Sequence, residues 1–69
     1  MWELKVDGIQ ESGGVAALRS AILRVDPSAH VHVELDVETV KIRSFWREAE
    51  IRAVLENAGF YVREVHMVA

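Results

Sequence analysis

The chain has 69 residues, 51% of them hydrophobic and 28% charged, with a formal net charge of −3; this is the composition of one small globular domain spanning residues 1–69, not of a disordered segment. Folding at this size buries only about 60% of the surface the unfolded chain exposes, which leaves no room for a deep catalytic cleft beside a core. The absence of cysteine excludes disulfides, thiolate nucleophiles, iron–sulfur clusters and thiolate metal sites, and the acidic balance argues against nucleic acid, whose binders are mostly basic.

No apolar run is long enough to span a bilayer, so no membrane insertion is expected. The opening Met1-Trp2-Glu3-Leu4-Lys5 lacks the basic and apolar regions of a secretory signal, so the expected location is cytoplasmic. Trp2, Leu4 and Val6 alternate with Glu3, Lys5 and Asp7, which predicts a half-buried strand with Trp2 in the core. Gly8-Ile9-Gln10-Glu11-Ser12-Gly13-Gly14 is rich in glycine and reads as a loop. From Val15 the period changes: Val15, Leu18, Ile22 and Val25 follow helical spacing, Ala17 and Ala21 fill beside them, and Arg19 and Arg24 point to water. Ser12 is placed to cap this helix, and Asp26-Pro27 ends it, because the residue before proline avoids helical angles.

Alternation resumes at His30. Val31, Val33 and Leu35 are expected inward, with His30, His32 and Glu34 outward. After a turn at Val37-Glu38, Val40 and Ile42 face in. A hairpin with Leu35 opposite Val40 sets Glu34 opposite Lys41, a favourable cross-strand pair, and His32 opposite Arg43. Ser44 is placed to cap a second helix whose apolar stripe is Ile51, Val54, Leu55 and Ala58. Gly59 fits the position just past its end, and Phe60 to about His66 reads as a last strand. The order β-α-β-β-α-β, with right-handed crossovers, predicts an α+β fold: a ferredoxin-like sandwich with a four-stranded antiparallel sheet, both helices on one face and the other face open to water.

These segments carry a resemblance. Val6-Asp7-Gly8-Ile9 is similar to the opening of heavy-metal-associated domains. Val31-His32-Val33-Glu34-Leu35, Val40-Lys41-Ile42, Ile51 and Ala58-Gly59-Phe60 resemble the hairpin and the closing motif of that family. The resemblance spans nearly the whole chain and implies a copper-chaperone-like domain related to metal transport. In the family the first loop runs G-M-x-C-x-x-C, and its two thiolates clamp a soft ion such as Cu(I). Position by position, those cysteines correspond to Glu11 and Gly14, the methionine to Ile9, and the aromatic beside the metal loop to Phe60. The resemblance therefore implies the fold and a partner-docking loop (Gly8, Ile9, Gln10, Glu11, Ser12, Gly13, Gly14, with Phe60), without the family's metal chemistry. The implied partner is another protein such as a metal transporter domain.

Two other donor sets are open. Glu11 and Ser12, with Asp7 or backbone carbonyls, could hold a harder ion, although the loop has few of the oxygens a calcium or magnesium site takes; the plainer role is a carboxylate at a helix N-terminus beside a serine cap. His30 and His32 share a strand face and with Glu34 could bind Zn(II) or Cu(II), but two ligands fall short of a tetrahedral set. His66 and Met67 read as residues of a fraying end. Of Phe45 and Trp46, at the start of the second helix, one is expected to cover the sheet end, and an exposed tryptophan would point to a partner. Ser12 has no histidine near it in sequence, and Gly8 to Gly13 is not followed by the lysine and hydroxyl of a phosphate loop, so catalysis is not expected. The expected protein is a cofactor-free docking module, monomeric or weakly dimeric. A structural module that self-associates through its open sheet face or an edge strand is a third reading, and the outward strand positions lack the aromatics of RNA-stacking sheets.

Overall fold

The computed structural model describes residues 1–68. In chain order it contains β1 (Trp2–Asp7), α1 (Gly14–Val25), β2 (His30–Glu34), a 3-10 turn (Leu35–Val37), β3 (Thr39–Arg43), α2 (Glu48–Asn57) and β4 (Tyr61–Met67). The strands form one antiparallel sheet in the order β2-β3-β1-β4. Both helices cover the same face, which is the ferredoxin-like arrangement expected from the sequence.

The period-two pattern produces the core directly. Leu4 of β1 stands opposite Val40 of β3 and Val65 of β4, so the apolar positions of three strands share one face. Leu4, Val6, Val40 and Ile42 are buried there beneath Leu18 and Ile22 of α1 and Ile51 and Leu55 of α2. Each such side chain contributes about 1.5–3 kcal/mol of hydrophobic stabilisation. Asp26 is the buried stop of α1: its carboxylate accepts hydrogen bonds from the Ser28 backbone N–H (3.1 Å) and hydroxyl (2.7 Å) and from the Ser44 hydroxyl. The last of these ties the end of α1 to the end of β3. Among the described residues no helix is long and apolar enough to cross a membrane.

Several local expectations are corrected. The hairpin pairs Val33 with Val40 and His32 with Lys41, a shift of two residues from the expected register. Because the shift is even, the faces are preserved, and Glu34 still reaches Lys41 at 3.2 Å, now diagonally. Its cost falls on Leu35, which turns with Asp36 and Val37 in the 3-10 segment and is exposed. Val25 is also exposed, because Asp26 takes the buried position where the chain leaves α1. Ala17 and Ala58 are exposed, whereas Ala21 and Val54 are half-buried. Ser44 does not cap α2, which starts later, at Glu48; Ser44 accepts from the Trp46 backbone N–H (3.1 Å), and at the true helix start Glu50 accepts from the Arg47 backbone N–H (3.3 Å). His66 and Met67 do not fray but pair with Glu3 and Trp2 in β4. Trp2 is half-buried and donates from its indole to the Trp46 carbonyl (3.0 Å), so Trp46 covers that end of the sheet. Gly59 adopts the positive φ, 95°, expected after a helix.

Candidate functional site

The connection between β1 and α1 stands at one end of the sheet, next to the β2–β3 turn and the start of β4. Asp7 pairs with Tyr61, and the Val6 N–H bonds to the Glu38 carbonyl at 3.0 Å, which brings these three segments together. Ile9 anchors the loop in the core at 1% exposure. Gln10 donates from its side-chain amide to the Leu35 carbonyl (2.9 Å), and Phe60 is buried against the loop's first glycine. The residues assigned to the docking loop therefore do meet in space, with Gln10, Glu11, Ser12 and Gly13 exposed at the tip.

The loop enters α1 differently from expectation. Gly13, not Ser12, holds the N-cap position, in a left-handed conformation (φ 77°) and without a side-chain cap. That geometry suits glycine and leaves the Ser12 side chain one residue too early to reach the helix. The Gly14 N–H bonds instead to the Glu11 carbonyl (2.8 Å), closing a tight turn. Gly14 itself is buried. A Cβ at this position would lie 2.7 Å from the Ile9 carbonyl oxygen and 2.9 Å from that of Gly8. Both contacts are to backbone, so any side chain at position 14 requires the loop to move. The loop residues consequently do not fit a soft metal ion: one expected ligand position has no space for a side chain, and the other, Glu11, is an exposed hard oxygen donor.

His30 and His32 are both exposed on the open sheet face, as their spacing requires. Glu34, their expected third donor, is instead paired with Lys41. Among the described residues, no three histidine, cysteine, aspartate or glutamate side chains come together as a metal-holding group. His66 lies 2.9 Å from Glu64 through Nε2, and this hydrogen bond holds the Glu64 carboxyl below its ordinary value.

Sequence reasoning missed the apolar collar beside the loop. Leu35 (44% exposed), Val37 (47%) and Tyr61 (63%) all stand at this end of the molecule. The only sequence signal for it was the choice of hairpin register. On the side of the same end, Arg63, the extra residue of a bulge in β4, reaches Asp7 (2.9 Å) and Glu38 (3.4 Å) and pins the strand end to the turn.

This compact sheet-and-helix domain, with a glycine-rich first loop beside a buried aromatic, is of the metal-trafficking type in its architecture. It is similar to the trimeric form of the copper chaperone Atx1 from Synechocystis PCC6803, at 30% identity over 88% of this chain and 97% of that one, with a TM-score of 0.84. A side-to-side form of Atx1 gives 30% identity, the same coverage and a TM-score of 0.83. A gold-binding protein shares the fold at 24% identity, with 91% of this chain and 97% of that one covered and a TM-score of 0.85. No protein-family model and no curated protein matches the sequence. The chain belongs to the heavy-metal-associated domain family, copper-chaperone-like in form and without the paired cysteines.

Proposed function

We infer that this domain is a cytoplasmic, non-catalytic accessory module of metal transport, copper above all, which docks to a partner such as a transporter's metal-binding domain and carries no Cu(I) itself. The docking end is the Gly8–Gly14 loop with Phe60 beneath it. The packing of Gly14 carries this reading: the backbone has closed over the position of the second thiolate. Support also comes from the collar of Leu35, Val37 and Tyr61, which borders the loop with exposed apolar surface of the kind that interface cores use.

The test is an amide NMR titration of labelled protein, first with Cu(I) under reducing conditions and then with the metal-binding domain of a copper transporter. Cu(I) should leave residues 8–14 unmoved, while the transporter domain should shift residues 8–14, 35–37 and 60–61. Stoichiometric Cu(I) binding at Gln10 to Gly14 would overturn the reading. Titration with Zn(II) checks the other donor set. Saturable shifts at His30 and His32 that vanish in a His30→Ala/His32→Ala variant would replace docking with a nitrogen-ligand metal site.

A further inference from the structure

The pole opposite the Gly8–Gly14 loop has a different chemistry. Strand β2 is an edge of the sheet. Along it runs a groove of about 610 Å³ that takes in Arg19 and Leu23 of α1 and His30, His32, Lys41 and Arg43 of the strands. Register explains the cluster: His30 stands opposite Arg43 and His32 opposite Lys41, so the outward positions of two strands set four nitrogen-bearing side chains in a two-by-two array. No carboxylate lines the groove. Lys41 is partly compensated by Glu34, and Arg19 donates to the outward-facing Val31 carbonyl (3.2 Å). Arg19 and Arg43 enter no ion pair among the described residues. Lys41 also stands opposite Glu3 of β1, so in a chain of net charge −3 the positive charge left without a paired carboxylate at this pole, among the described residues, is that of Arg19 and Arg43.

Charge alone would describe a solvated face; Phe45 is the independent observation. It is 98% exposed and forms one wall of a hollow of about 340 Å³ shared with Ser28, His30, Arg43 and Ser44. His30 and Arg43 also line the basic groove, so the two features are continuous. The fold has no use for this ring, because the adjacent Trp46 already covers the sheet end.

We propose that this pole is a docking surface for an extended acidic segment of a partner protein. Its carboxylates pair with Arg43 and Arg19, and one of its apolar side chains covers Phe45. The chemistry selects this occupant in three ways. Guanidinium forks match carboxylates in a bidentate fashion. An open sheet edge accommodates an extended chain. Phenylalanine and arginine are both enriched at protein interfaces relative to the rest of the surface. A small anion such as phosphate would use the charges but leave the ring in water. The surface lies beyond the loop-end docking described above, at the other pole of the molecule, and the two stand or fall separately.

The probe is a fluorescein-labelled peptide of glutamates flanking a single leucine, titrated into the whole chain by anisotropy and by amide NMR. The comparisons are the same peptide with lysine for glutamate, and inorganic phosphate. The expected result is saturable shifts at residues 29–32 and 41–46, with affinity falling as salt rises. Phe45→Ser and Arg43→Glu should each weaken binding about tenfold or more. Both side chains are exposed, so circular dichroism should show both variants folded. Unchanged affinity in both variants, equal binding of the lysine peptide or of phosphate, or shifts confined to residues 8–14 would each overturn the proposal. A dimer in sedimentation that Phe45→Ser abolishes would make a second copy the occupant and overturn it as well.

Discussion

Asp26 shows how one carboxylate can be buried in so small a domain. Its oxygens are engaged by Ser44 and Ser28, and these hydrogen bonds, Ser44's first, hold its carboxyl below the ordinary aspartate value. A carboxyl depressed on folding stabilises the fold above its unfolded value of about 3.9 and loses that contribution as pH falls through the lower folded value. The wild-type chain should therefore lose stability in acid more steeply than an Asp26→Asn variant. Urea unfolding midpoints measured at neutral pH and near pH 2 should show a gap between the two proteins that closes in acid. A gap of constant width would mean that the carboxylate's charge contributes nothing to the fold.

At the scale of elements, the hairpin separates what a sequence specifies strongly from what it specifies weakly. Alternation of Val31, Val33, Val40 and Ile42 decides which face is buried, and that reading matches the structure. It cannot distinguish a register from one shifted by two, since both bury the same face. The tight turn at Leu35–Val37, with Glu38 at φ 50°, selects the actual one. Leu35→Ser should accordingly leave stability within about 0.5 kcal/mol. Leu55→Ala, in the stripe of α2 at 0% exposure, should cost about 2–5 kcal/mol. Thermal unfolding distinguishes them, at roughly 4–8 °C per kcal/mol for a domain of this size. The same division runs through the rest of the chain. The centres of the helical stripes, Leu18 and Ile22 in α1 and Ile51 and Leu55 in α2, and the stops at Asp26 and Gly59 were legible because each is a local rule, whereas the stripe ends Val25 and Ala58 are exposed. The caps at Ser12 and Ser44 were misread because cap identity depends on where the helix begins: Gly13 takes the N-cap of α1 and Arg47 that of α2. The correspondence of the first loop to the family's metal loop was legible only through resemblance, and the exposed apolar residues beside it not at all, because Leu35 and Val37 come from the β2–β3 turn and Tyr61 from β4.

For the molecule as a whole, the closed loop links metal chemistry to folding. In a domain that holds metal with thiolates, binding energy and folding energy are coupled through the loop. Here the loop is packed without them, with Gly14 as the point of closest approach. Installing both thiolates by Glu11→Cys and Gly14→Cys should expose that coupling. The new Cβ at position 14 overlaps the Ile9 and Gly8 carbonyls, so the metal-free double variant should be destabilised by about 1–3 kcal/mol, the usual cost of overpacking. Cu(I) should then raise the melting temperature of the double variant, because a ligand bound to the folded state stabilises it by mass action, while leaving that of the natural chain unchanged. The decisive comparison is Gly14→Ala, which introduces the clash without a ligand. If it is as stable as the natural chain, the loop is pliable at this point, and closure around Gly14 does not set the metal chemistry of this domain.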